Sequence, residues 1–171
     1  KIVSVKSVGS FVIDYFIENH KSNSNLLKKV TISLQDCETG VKSVNNFIKL
    51  AELNPDIIFY FKRRRLPLNF YEDNFNFPSN VILDSDKNIY ELIIDSFVHI
   101  TAYSSCALEA PSLGIRNILF NTDNKSVEYY TKKLKEGEFN YYCNTLKEMN
   151  EALNQCLNSI ISKEKVMKNN K

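Results

Sequence analysis

From residue 29 onward, the hydrophobic positions switch repeatedly between a two-residue period and one of about 3.6. Val30, Ile32 and Leu34 alternate with Thr31 and Ser33, the spacing of a strand. Val44, Phe47, Ile48 and Ala51 recur on one helical face, and Pro55 closes that helix. Ile57-Ile58-Phe59-Tyr60-Phe61 is a continuous apolar run of strand length, as expected of a strand covered on both faces. A polar and aromatic loop is expected from Lys62 to about Asn80, then a short strand at Val81-Ile82-Leu83. Ile89, Leu92 and Ile93 predict a short helix, and Val98 to Tyr103 the next strand. Ser104 to Leu113 reads as a helix that stops near Gly114, kinked or shortened by Pro111. Asn117 to Phe120 is a strand, Ser126 to about Lys135 a helix and Phe139 to Cys143 a last strand. Leu146, Met149, Leu153, Cys156, Leu157 and Ile160 form the clearest helical stripe, and the charged tail from Ser162 is expected to fray.

Repeated strand–helix alternation with short connections predicts an α/β fold: a doubly wound, Rossmann-like parallel sheet of about six strands with helices on both faces. The division that follows is residues 1–28 as a linker, 29–161 as the domain and 162–171 as the tail. The first 28 residues read as a short strand, a turn at Gly9, a helix from Phe11 to Ile17 and a polar linker from Lys21 to Asn25.

Composition narrows the class. The chain has 171 residues, 43% apolar and 25% charged, which suits one soluble globular domain. Its 22 basic and 20 acidic residues leave a net charge of +2, too balanced for a dedicated nucleic-acid binder. No stretch approaches the roughly 18 apolar residues of a membrane span. Lys1 to Val5 alternates like a strand and not like a secretory signal. There are four glycines and no G-x-G-x-x-G or G-K-[ST] string, so neither the dinucleotide fingerprint nor a P-loop is present. Cys37, Cys106, Cys143 and Cys156 form no C-x-x-C pair, and His20 and His99 stand far apart, so no zinc site is expected. The cysteines read as reduced, mostly buried thiols of a cytosolic protein.

In an open parallel sheet, ligands bind beyond the carboxyl ends of the strands, where helix N-termini attract anions. Three such places carry suitable residues. Tyr103 ends a predicted strand, and Ser104 and Ser105 open the helix that follows; a serine there can cap the helix and donate to a phosphate oxygen. Glu109 lies four residues beyond Ser105, on the same helical face, where a carboxylate can accept from both hydroxyls of a ribose. A capping box would instead need the glutamate at Leu108. The second place is Lys62-Arg63-Arg64-Arg65, cations able to neutralise a diphosphate or to form a solvated charge run. The third is Ser33 to Gly40, where Gln35 and the backbone near Gly40 can meet a phosphate or an acceptor sugar, and Asp36 is a helix-approach residue. His99 falls inside a strand and reads as a satisfied core histidine. Tyr129-Tyr130 and Tyr141-Tyr142 read as packing.

The stretch Val81-Ile82-Leu83-Asp84, Asn88 to Ile93, Ile100-Thr101-Ala102-Tyr103-Ser104-Ser105, Leu108-Glu109-Ala110 and Leu113-Gly114 resembles the C-terminal domain of GT-B glycosyltransferases. It is most similar to bacterial enzymes that build capsules, lipooligosaccharide and teichoic acids, with a sialyltransferase-like serine pair. Val8-Gly9-Ser10 and Ile13-Asp14 are similar to the segment by which such chains leave the N-terminal domain. Where relatives often have a His-Pro pair after the second strand, this chain has Lys62-Arg63-Arg64.

The resemblance implies a nucleotide-sugar (donor) binding domain at 29–161. Ser104 and Ser105 are expected at the donor phosphate and Glu109 at the ribose, with Tyr103, Lys62, Arg63 and Gln35 around them. No residue is assigned as catalytic. The donor is expected to be CMP- or UDP-linked and bound as substrate, with no cofactor and no protein-held metal. The partners are a bacterial surface glycan acceptor and an N-terminal domain missing from this chain. The fragment alone is expected to be inactive, and the whole protein cytoplasmic, with peripheral association at the inner face of the plasma membrane. Two other readings keep the fold: a nucleotide-sugar 2-epimerase, and a non-catalytic module that recognises a protein or glycan. Convergence of Ser105, Glu109 and the 62–65 run on one cleft separates the enzymes from the module.

Overall fold

A computed structural model of the protein describes residues 11–19, 28–35, 37–63, 69–84, 86–159 and 161–169. Its elements run α1 (Phe11–Asn19), β1 (Lys29–Ser33), α2 (Glu38–Glu52), β2 (Ile58–Lys62), α3 (Phe70–Asn74), β3 (Val81–Asp84), α4 (Ile89–Ile94), β4 (Val98–Thr101), α5 (Cys106–Glu109), β5 (Arg116–Phe120), α6 (Lys125–Tyr130), β6 (Asn140–Cys143), α7 (Leu146–Asn158) and α8 (Lys163–Asn169). The six strands form one sheet in the order β3-β2-β1-β4-β5-β6, and all five pairings are parallel. This is the predicted doubly wound α/β sheet, with its topological switch point between β1 and β4.

The two faces of the sheet differ in chemistry. One presents Val30, Ile32, Phe59, Phe61, Val98, Ile100, Ile118, Phe120 and Cys143, all buried beneath α2, α3 and α7. The other lies under α4, α5 and α6 and carries the buried polar residues Thr31, Ser33, His99, Thr101, Asn117 and Asn140. Thr31 bonds the Leu92 carbonyl at 2.9 Å and the Ser96 hydroxyl at 2.8 Å, which ties β1 to α4. His99 is the satisfied core histidine that its strand position predicts, bonded at both ring nitrogens.

Several local expectations need correction. The aromatic loop after β2 contains the one-turn helix α3, because Phe70, Tyr71, Phe75 and Phe77 pack on the apolar face. β2 is covered on one face only: Phe59 and Phe61 are buried, whereas Ile58, Tyr60 and Lys62 on the other face are half-buried. The strand predicted to reach Tyr103 ends at Thr101. The helix predicted from Ser104 to Leu113 is one α-turn followed by a 3-10 turn, Ala110–Leu113, which Pro111 opens and Gly114 closes at φ 77°. The helix predicted to Lys135 ends at Tyr130.

The tail does not fray where it is described. It forms α8, with Val166 buried and Lys163 donating to the Ile94 carbonyl at 2.6 Å. The predicted helix at 11–17 is α1, which packs through Ile13 and Phe16 against α4 and the 3-10 turn. The strand and turn expected before it, the linker at 21–25, Asp36, Arg64 and Arg65 lie outside the described residues. All four cysteines are free thiols. Cys143 and Cys156 are buried, which pushes their thiols up to about 12 and about 11; Cys106 is half-buried and Cys37 exposed.

Candidate functional site at the carboxyl edge

At the switch point the chain leaves β1 toward one face and β4 toward the other, so the two following loops part and leave a crevice. The first wall is the β1–α2 turn. Leu34 N–H donates to the Lys62 carbonyl at 3.1 Å, and the Tyr71 hydroxyl donates to the Gln35 carbonyl at 3.3 Å. Gln35 is buried. Gly40 is required beside it, since a Cβ there would sit 2.2 Å from Gln35 Cβ and 2.8 Å from its carbonyl oxygen. α2, a 15-residue helix, begins at Glu38, and Cys37 at its N-cap makes no capping bond with its side chain.

The second wall is the β4–α5 loop, Ala102 to Ser105. It is anchored from α6. Ser126 donates to the Ala102 carbonyl, and also to that of Phe120 at 2.8 Å. The Tyr130 hydroxyl accepts from Ser104 N–H and donates to the Ser104 carbonyl. Burial raises the Tyr130 phenol far above its usual range, so it stays protonated.

Ser104 and Ser105 therefore differ. Ser104 is buried, its N–H is taken by Tyr130, and its hydroxyl accepts from Cys106 N–H at 3.4 Å. Ser105 is exposed at the N-cap and makes no capping bond with its side chain. Tyr103 is half-buried and stands edge-on to Tyr129 at 4.8 Å, while Lys133 lies 5.0 Å over the Tyr129 ring.

Glu109 is half-buried and turns toward α4, where it meets the Tyr90 hydroxyl. Burial first, then the charge and hydrogen bond of Glu109, push the Tyr90 phenol up to about 12. Lys62 ends the neighbouring strand β2, and Arg63 follows it. Lys62 lies 3.6 Å from the Asp84 carboxylate and bonds the Lys87 carbonyl; Arg63 lies 2.5 Å from Glu72.

The structure thus places Gln35 and the segment Tyr103 to Ser105 just past the carboxyl ends of the adjacent strands β1 and β4. It sets Glu109 one turn deeper beside Tyr90, and pairs Lys62 with Asp84 of β3 and Arg63 with Glu72 of α3. Two cavities lie elsewhere: one of about 200 Å³ between β2 and α4, and an open one of about 760 Å³ beside β6 and α7. Among the described residues no three His, Cys, Asp or Glu side chains gather to hold a metal ion, and no described helix is long and apolar enough to cross a membrane. Sequence reasoning missed Tyr90, Ser126 and Tyr130 at this edge. A tyrosine whose hydroxyl pins a loop has the same local sequence signal as one that only packs.

No family model matches the chain, and no curated protein does. Solved structures do. A spinosyn rhamnosyltransferase, SpnG, complexed with thymidine diphosphate is 13% identical over 84% of this chain and 41% of its own, with a TM-score of 0.66. The glycotransferase of kitacinnamycin is 12% identical over 88% and 40%, with a TM-score of 0.63. A putative UDP-N-acetylglucosamine 2-epimerase from Listeria monocytogenes is 11% identical over 96% and 42%, with a TM-score of 0.55. The chain spans about two fifths of the length of these structures. At such identities the likeness is one of fold: the chain has the Rossmann-like α/β fold found in GT-B glycosyltransferases.

Proposed function

We propose that this chain is the donor-binding half of a GT-B glycosyltransferase, holding a nucleotide-sugar while a second domain presents the acceptor. The observation that carries the proposal is the β1/β4 switch point, with Gln35 just past one strand and Tyr103 to Ser105 just past the other. The sheet that bears them has the fold of a glycosyltransferase bound to thymidine diphosphate. In this reading the Ser105 hydroxyl and the first-turn N–H groups of α2 donate to the diphosphate. Glu109 keeps acceptor capacity beyond its bond from Tyr90 and takes the ribose hydroxyls. Ser104 serves through its backbone, by fixing the loop. Lys62 and Arg63 reach a leaving phosphate only by exchanging their acidic partners.

CMP or UDP as the nucleotide, a bacterial surface glycan as acceptor and a peripheral site at the inner membrane face follow from the sequence resemblance. Isothermal titration with CMP, UDP and thymidine diphosphate tests the core of the proposal. Weak binding of one of them is expected, reduced about tenfold by Glu109→Ala or Ser105→Ala. No binding of any, or binding indifferent to Glu109→Ala, overturns it.

A second reading, a nucleotide-sugar 2-epimerase, is favoured by the 96% coverage of this chain by the putative epimerase. Exchange of the C2 proton of UDP-N-acetylglucosamine with deuterium in the presence of the protein would establish it. Titration without exchange favours the transferase half.

A further inference from the structure

We infer that His99 and Asn117 are positioning residues that lock the two walls of the crevice together through one chain of buried hydrogen bonds. Four polar side chains on adjacent strands make the chain. Ser33 Oγ lies 2.7 Å from His99 Nε2, and His99 Nδ1 lies 2.9 Å from Asn117 Oδ1. Asn117 Nδ2 donates to Asn140 Oδ1 at 2.9 Å, and Asn140 Nδ2 to the Lys135 carbonyl at 3.2 Å. His99 and Asn117 are 0% exposed and Ser33 is 4% exposed.

The partners fix the direction of every bond. Both protons of the Asn117 amide are committed to carbonyl oxygens, so its own oxygen faces His99 and can only accept. His99 therefore carries its proton on Nδ1. Burial keeps the ring neutral, which leaves Nε2 to accept the Ser33 hydroxyl proton. Each donor points from β1 toward β6, so each bond polarises the next.

Both ends of the relevant segment reach the crevice. Asn117 Nδ2 also donates to the Ala107 carbonyl at 2.8 Å, inside α5 and two residues past Ser105. Ser33 is the last residue of β1, two before Gln35, and its carbonyl accepts from Thr101 Oγ1 at 3.0 Å. The chain thus ties the end of β1 to the first turn of α5 across β4 and β5. An apolar filling would cover the same face but would leave the sliding of α5 over β5 unspecified; a satisfied polar chain selects one register.

The effect on nucleotide binding rests on the proposed function, whereas the effect on α5 does not. Asn117→Leu fills the site and removes the bond to Ala107. Thr31→Val is the control: it removes a buried polar pair on the same face that contacts α4 and not α5. Hydrogen exchange by NMR is expected to speed up at the Cys106 to Glu109 amides in Asn117→Leu more than in Thr31→Val. UDP affinity is expected to fall about tenfold in the first and less than about twofold in the second.

His99→Leu and His99→Asn form a second pair, readable even if Asn117→Leu does not fold. The Asn amide nitrogen stands near the place of Nδ1, so His99→Asn restores the bond to Asn117 and is expected to recover slow α5 exchange and UDP affinity relative to His99→Leu. Wild-type exchange at α5 in a folded Asn117→Leu protein, or equal behaviour of the two His99 variants, overturns the inference. If the wild type binds no nucleotide, the functional reading fails and the exchange data alone decide the positioning role.

Discussion

One face of the sheet is held by volume and the other by partners. Beneath α2, α3 and α7, the aromatic side chains Phe47, Phe61, Phe77 and Phe120 meet edge to face at 5.7 to 6.4 Å, and among the strand residues there Arg116 is the buried polar one, donating to the Cys156 carbonyl and the Ser159 hydroxyl at the end of α7. Beneath α4, α5 and α6, the central strands bury serine, threonine, histidine and asparagine, each bonded to a named atom. Apolar packing is strong and tolerant of small slides, while hydrogen bonds are weaker in net and strict in geometry. The helix with the candidate site residues Ser105 and Glu109 lies on the strict face.

The contrast is open to experiment. The largest effect is expected on the apolar face. Phe61→Ala, at a fully buried side chain between Phe47 and Phe77, should lower unfolding free energy by about 3–5 kcal/mol in urea titration. A loss below about 1 kcal/mol would mean that this face collapses around the gap.

The next largest belongs to the polar face and to pH. Burial lowers the His99 pKa to about 4, from about 6.5 when unfolded. Between these values the unfolded chain takes up a proton that the folded chain refuses, so acid favours unfolding. The contribution of His99 is complete above about pH 6.5 and is lost progressively as pH falls toward 4. Thermal melts across this window should show the decline, and His99→Asn should flatten it. An unchanged slope in that variant would assign the acid sensitivity to other groups.

The smallest effect concerns a helix end on the apolar side. The Thr145 hydroxyl caps α7 by accepting from Glu148 N–H at 3.2 Å. Thr145→Ala should cost about 1 kcal/mol in urea titration and leave nucleotide affinity untouched, because α7 packs on the volume-held face.

The strands were legible because most are compact runs rich in β-branched and aromatic residues, and the alternation from Val30 to Cys143 implied a parallel sheet; the order of its strands came from the structure. α3 was not legible, since five residues rich in Asn, Asp and Glu carry no period; the packing of Phe70, Tyr71 and Phe75 on the core makes it a helix. α8 was hidden for the same reason, with Val166 its only deeply buried apolar side chain. At the site, the position of Ser105 and Glu109 on one short helix could be read from spacing. The burial of Ser104 could not, because it depends on Tyr130, 26 residues further on.

By itself, then, the sequence determined the kind of sheet, and it named the carboxyl edge and the short segments there that the proposed function uses. Periodicity and turn residues are local properties, and those features follow from them. Only the tertiary structure decided which serine is exposed, which cations are already paired and where Glu109 turns. It also decided that Ser33, His99, Asn117 and Asn140, dispersed over more than a hundred residues, form one line of hydrogen bonds. Those outcomes depend on the register between strands, and register is set by the whole packed sheet rather than by any one segment.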